Sequence, residues 1–189
     1  MIAIRSDQNV SPEDYLERER HNPSKHEYFD GDIYAMAGTS KGHNTISLNL
    51  ALLLRTGLRE SPCQTFMADI KVNVANQRYY FYPDLVITCD QEDDLNAYVI
   101  EFPKVVIEVL SESTELFDRG KKFQCYRMIP SLTDYILVSS QDYLVEVFHR
   151  IQGDRWVLET YEGLSAIVEL KSLDLMLPLA EIYSTLIFG

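Results

Sequence analysis

The sequence predicts an α/β (α+β) fold, a central mixed β-sheet flanked by helices, on three observations. Within 43–56, Ile46, Leu50, Leu53 and Leu54 recur at i, i+4, i+7 and i+8, which makes one apolar face of a helix. Segments 79–88 and 105–110 are nearly continuous apolar and aromatic runs of the kind that buried strands show. Three more strand signals follow, separated by turn residues, and no linker composition interrupts the chain. A single domain over 1–189 is expected, since 189 residues at 46% hydrophobic can bury a full core.

Each element has a local cause. Ser11-Pro12-Glu13-Asp14 opens a helix: serine caps, proline suits the first helical position, and the acids sit at the positive end of the dipole. It stops before Pro23. Two aromatic-rich arms then flank Asp30-Gly31, a pair that tolerates the positive φ of a tight turn, so 26–36 reads as a hairpin. A loop over 38–42 leads into the 43–56 helix, which Gly57 can terminate. Segment 69–74 alternates with period two, and Pro83-Asp84 interrupts the 79–88 run. Segment 90–94 is an acidic loop. The 105–110 strand feeds a helix over 114–128 that Pro130 ends. Strands at 135–138, 143–149 and 156–161 and a short helix near 179–186 complete the chain.

Charge and cysteine content narrow the classes. Seventeen Lys+Arg against 29 Asp+Glu give a net −12, which argues against a protein that coats a polyanion, because such affinity comes from basic residues. The acidity is uneven. From Ser131 onwards three basic residues face nine acidic ones, whereas 113–130 carries Arg119, Lys121, Lys122 and Arg127 against Glu115 and Asp118, a local +2. No apolar run is long enough to span a bilayer, so no membrane partner is expected. Met1 to Asp7 shows no basic region leading into an apolar stretch. Cys63, Cys89 and Cys125 are far apart and odd in number, and they read as reduced thiols of a cytoplasmic protein. Zinc-protease and zinc-finger spacings, Gly-rich phosphate loops and nucleophile elbows are all absent from the sequence.

The chemistry lies in carboxylates inside apolar strands. Asp84 follows Pro83, and Glu108 stands within Val105-Val106-Ile107-Glu108-Val109-Leu110. A buried carboxylate is expensive unless a cation, a donor set or a proton compensates it, and two at adjacent strand ends make a hard oxygen site suited to Mg²⁺ or Mn²⁺. The plain alternative is that either acid faces solvent at a sheet edge. On the following helix, at about 100° per residue, Leu116, Phe123, Tyr126 and Ile129 define an inward arc that contains Lys122, while Lys121 points away. Lys122 then needs an acidic partner, either Asp118 four residues earlier or the Asp84/Glu108 pair.

Pro83-Asp84 followed by Glu108-Val109-Leu110 resembles the PD-(D/E)xK nuclease pattern, with Leu110 in the lysine position and Lys122 as a lysine moved to the next helix. Longer blocks resemble the Uma-type restriction endonuclease family: 25–38 around Tyr28-Phe29-Asp30-Gly31, His43-Asn44, Tyr82-Pro83-Asp84-Leu85-Val86, 107–114, and Asp118-Arg119-Gly120-Lys121-Lys122-Phe123. The likeness runs from about residue 11 to residue 182. It implies a restriction-endonuclease-like core and metal-dependent hydrolysis of DNA phosphodiesters. It also implies a catalytic set of Glu27, Asp84, Glu108 and Lys122, with Mg²⁺ or Mn²⁺ held by Asp84, Glu108 and the Val109 carbonyl. His43 contacts phosphate or packs at the helix start, Asp69 approaches the metal or lies on the surface, and Tyr126 bonds a site carboxylate or packs. Weak intrinsic DNA affinity, a homodimer or higher homo-oligomer, and a protein partner for specificity are further expectations. A catalytically inactive binding or assembly module is the alternative, and a two-carboxylate glycosidase ranks last because it leaves Lys122 unexplained.

Overall fold

The computed structural model describes residues 2–4, 9–36 and 38–188. Part of the amino-terminal stretch read for targeting, and Ala37 of the matched block, lie outside the described residues. Ser11 caps α1 (Pro12–His21), its Oγ accepting from Asp14 N at 3.1 Å. Strands β2 (His26–Phe29) and β3 (Asp32–Ala35) form the expected hairpin, with Asp30 at φ 52° and Gly31 at φ 96° in its turn. At φ 96° the position favours glycine, and a Cβ there would also have to displace the exposed Asn9 side chain. Helix α2 (Lys41–Gly57) begins at a Ser40 cap, two residues before the predicted start.

Two six-stranded sheets organise the chain. The first runs β1 (Ile2–Ile4), β3, β2, β6 (Tyr79–Phe81), β5 (Lys71–Val74), β8 (Val99–Ile100). The second runs β12 (Trp156–Glu162), β11 (Leu144–Arg150), β10 (Asp134–Ser139), β9 (Pro103–Leu110), β7 (Leu85–Thr88), β4 (Gln64–Met67). It is mixed, because β9 pairs parallel with β10 and antiparallel with β7. The single apolar run at 79–88 serves both sheets. Pro83 has no N–H to give a ladder, and the chain leaves one sheet after Phe81 and enters the other at Leu85. Asp84 stands at that crossing.

Side-chain alternation along β9 divides the core. Val105, Ile107 and Val109 face α2 (Ile46, Leu50, Leu54) together with Val168 and Leu170 of β13 (Ile167–Leu170), Leu177 of β14 (Leu175–Pro178) and Ile182 of α5 (Leu179–Ile182). Val106 and Leu110 face the other way, towards Val72 and Phe81 of the first sheet, Tyr126 of the helical segment after β9 and Ile129 just beyond it. Glu108 shares the parity of Val106 and Leu110, so it is delivered beneath that helical segment.

Two expectations need correction. Cys63 and Cys89 form a disulfide, and only Cys125 is free and buried. Antiparallel β4–β7 pairing sets Gln64 opposite Thr88, so the next residues outward meet despite a sequence separation of 26. Leu116 is 90% exposed rather than inward. The helical segment is α3 (Glu115–Phe117), a π turn over Asp118–Lys122 and α4 (Phe123–Tyr126). The wider π turn adds one residue to the winding, which rotates everything before it by about 100° relative to a regular helix. Lys122 and Tyr126, at or after the turn, stay on the inward face, and Lys121 is exposed. No helix among the described residues is long and apolar enough to cross a membrane.

Candidate active site

A cleft of about 430 Å³ opens where the two sheets part, between the start of α2 and the end of β9. Glu27, His43, Tyr82, Asp84, Glu108, Val109, Asp118 and Lys122 line its floor and walls. They arrive from β2, α2, the crossing between β6 and β7, β9 and the π turn. Glu27 comes from β2 and is 4% exposed, so the hairpin turns it inward rather than to solvent. Its Oε1 accepts the Tyr82 N–H at 3.1 Å, the backbone donor freed where the chain crosses between sheets. Leu85 pairs with Ile107, so Asp84 and Glu108 are next along on adjacent strands. Asp84 Oδ2 accepts the Val109 N–H at 2.7 Å and lies 3.2 Å from His43 Nε2.

Lys122 is the centre of the acidic group. Its ammonium lies 2.9 Å from Glu108 Oε1, 3.0 Å from Glu27 Oε1 and 3.8 Å from Asp118 Oδ1. Both partners weighed from the sequence contribute, and Glu27 joins them. Burial disfavours the Lys122 charge, but Glu108, Glu27 and Asp118 outweigh it and hold its pKa well above the ordinary lysine value. Burial lifts Glu108 well above the usual carboxylate range, more than Lys122 lowers it, and Asp118, Asp84 and Glu27 add repulsion. Asp118 is raised for the same reason, burial first, with Lys122 and Thr114 pulling the other way. Tyr126 O–H donates to Glu108 Oε1 at 3.4 Å, and burial keeps its proton in place. For His43, burial works against the imidazolium, but Asp84 and the Val109 backbone prevail and raise its pKa.

The set is rich in acidic groups. Four carboxyl groups (Glu27, Asp84, Glu108, Asp118) line one cleft with a single lysine, and burial holds Glu108 and Asp118 above the usual carboxylate range. The hydrogen bonds and ion pairs of Glu27, Asp84 and Glu108 fall on a single oxygen of each, which leaves the other oxygen for a further partner. Among the described residues no three His, Cys, Asp or Glu side chains form a ready-made ligand group, and Lys122 occupies the centre instead. Mg²⁺ does not ask for an all-protein cage: it keeps waters and takes one or two carboxylates together with substrate phosphates. The donor chemistry of Asp84, Glu108 and the Val109 carbonyl fits such an ion.

Comparison with known proteins bears on this constellation. Residues 12–180 match the model of the Uma2 family, described as "Putative restriction endonuclease". The chain belongs to the Uma2 family. A Synechocystis relative, the uncharacterised protein slr1290, is 41% identical over 179 residues, 95% of this chain and 94% of its own length. A second from the same organism, sll1609, is 30% identical over 171 residues, 89% of this chain and 97% of its own. The crystal structure of an Anabaena variabilis protein described as "a putative nuclease belonging to DUF820" superposes with a TM-score of 0.73 at 15% identity, over 93% of this chain and 98% of that one. The fold is therefore a restriction-endonuclease-like one shared with that protein.

In this Uma2-family chain, Glu27, Glu108 and Lys122 meet directly, while Asp84 joins them across the cleft through Val109 and His43. Asp69 is exposed and pairs with Lys25, away from the acidic group. Asp118 belongs to the acidic group itself, although the sequence offered it only as a helical partner for Lys122. Tyr82, whose backbone fixes Glu27, carried no signal beyond its place before Pro83.

Proposed function

We propose that this chain is a metal-dependent endonuclease that hydrolyses DNA phosphodiester bonds in the cleft between its two sheets. The observation that carries the reading is a buried ammonium held between two buried carboxylates, Lys122 between Glu27 and Glu108, beside the backbone-anchored Asp84. Asp84, Glu108 and the Val109 carbonyl would hold Mg²⁺ or Mn²⁺. Such an ion supplies Lewis acidity, acidifying water and neutralising charge on the scissile phosphate.

The protein's own groups do the rest. Lys122 keeps its proton, so it acts as a fixed donor to the phosphate or to the attacking water rather than as a base. Glu27 orients Lys122 and is itself oriented by the Tyr82 N–H. Val109 N–H fixes the Asp84 carboxylate against the end of β9. Burial of Glu108 and Lys122 strengthens each of these contacts by excluding water. The acidic cleft and the net −12 imply weak intrinsic DNA affinity. A symmetric homodimer or a protein partner would supply the remaining contacts.

The test combines calorimetric titration of Mn²⁺ with nicking of supercoiled DNA in Mg²⁺ or Mn²⁺. Cation binding and nicking are expected for the native chain, and Asp84→Asn, Glu108→Gln and Lys122→Ala are each expected to abolish nicking. Nicking that survives all three changes overturns the mechanism. A native chain that neither binds the cation nor nicks DNA is instead a binding or assembly module on a nuclease fold.

A further inference from the structure

We infer that His43 is a positioning residue for the metal-ligand carboxylate Asp84, an inference that rests on the reading of Asp84 as a ligand. His43 is 6% exposed, and its Nε2 reaches from α2 to within 3.2 Å of Asp84 Oδ2. The same oxygen accepts the Val109 N–H at 2.7 Å. One hydrogen bond from the sheet leaves a carboxylate free to turn about its Cβ–Cγ bond. A second donor, arriving from another element, fixes the plane of the group and with it the direction of Oδ1. His43 is well placed for this because its own position is over-determined. Ser40 Oγ accepts the His43 N–H at 3.1 Å, and the His43 carbonyl accepts Ser47 Oγ–H at 3.0 Å, which locks the first turn of α2. Its role in the cleft is therefore to hold the Asp84 carboxylate from the α2 side while Val109 N–H holds it from β9, a task for which packing alone requires no nitrogen.

Partners of this kind typically contribute 10- to 100-fold to metal affinity. The test is calorimetric titration of Mn²⁺ into the native chain and into His43→Ala, His43→Gln and Asp84→Asn, with thermal unfolding of each metal-free protein alongside. His43→Ala is expected to weaken Mn²⁺ binding about 10- to 100-fold. Glutamine places an amide N–H near the Nε2 position and is expected to restore most of that loss. Equal affinities for the native chain and His43→Ala overturn the inference, as does a glutamine variant that folds but binds no better than the alanine one. If alanine prevents folding, the comparison of glutamine with the native chain decides: a loss of ten-fold or more overturns the inference, and near-native affinity supports it. Unchanged affinity in Asp84→Asn is a separate result, which removes Asp84 as a ligand and His43's role with it.

Discussion

The acidic cleft gives two neighbouring substitutions opposite effects on stability. Glu108 and Lys122 touch at 2.9 Å, both fully buried, and a simple ion-pair view expects either loss to be harmful. The surroundings separate them. Lys122 is the cation that Glu27, Glu108 and Asp118 share, so Lys122→Met leaves three buried carboxylates uncompensated. Removing one partner of a buried pair costs about 3–5 kcal/mol, and for a domain of this size that lowers Tm by roughly 6–20 °C. Glu108→Gln leaves Lys122 paired with Glu27 at 3.0 Å and Asp118 at 3.8 Å and removes a carboxylate that burial and like charge already disfavour. The expected gain is about 1–2 kcal/mol, the scale on which functional-site strain is relieved, or roughly 2–8 °C. Thermal unfolding near pH 7.5 in EDTA reads both. A Glu108→Gln variant destabilised as much as Lys122→Met would overturn this assignment of the shared cation.

Three further outcomes follow from the same structure. Because burial raises the folded pKa of Glu108 and Asp118, the native state binds the extra protons. The contribution of these two groups to metal-free stability is then full below the unfolded carboxylate values and is lost as pH rises through the folded ones. A denaturation series against pH is expected to show that slope in the native chain and a shallower one in Glu108→Gln. The Cys63–Cys89 crosslink closes a loop of 26 residues, which the chain-entropy relation sets at about 3.5 kcal/mol; replacing both by serine is expected to lower unfolding stability by that order, with dithiothreitol reproducing the loss. Gly31→Ala, forced to φ 96° against Asn9, is expected to cost about 1–3 kcal/mol by chemical denaturation, and no more than a few tenths would contradict the turn geometry.

Much of this fold was legible because its signals are local. The Ser11 cap, the Asp30-Gly31 turn and the apolar face of α2 are each decided within a few residues, and each forms close to where the sequence puts it. Asp84 and Glu108 stood out because a carboxylate within an apolar run needs a reason. What escaped depends on pairing between distant segments. Cys63 and Cys89 meet only because β4 lies against β7, and the short edge strand β4 carries no strong periodicity of its own. Leu116 was misplaced because a π turn changes the helical phase, and Gly120 in its middle was the one residue hinting at irregular winding. Glu27's burial depends on a backbone N–H from Tyr82, 55 residues away. That donor is free only because the chain changes sheets at Pro83.

On the proposed function, the buried Glu108–Lys122 cleft hydrolyses DNA with a divalent cation. Nicking of supercoiled plasmid by the native chain and by Glu108→Gln, in Mg²⁺ and in Mn²⁺, tests it most directly, since the variant is expected to be folded and the more stable of the two. The expected result is nicking by the native chain with either cation and none by the variant. Nicking by Glu108→Gln at the native rate, or none by the native chain with either cation, would contradict the claim.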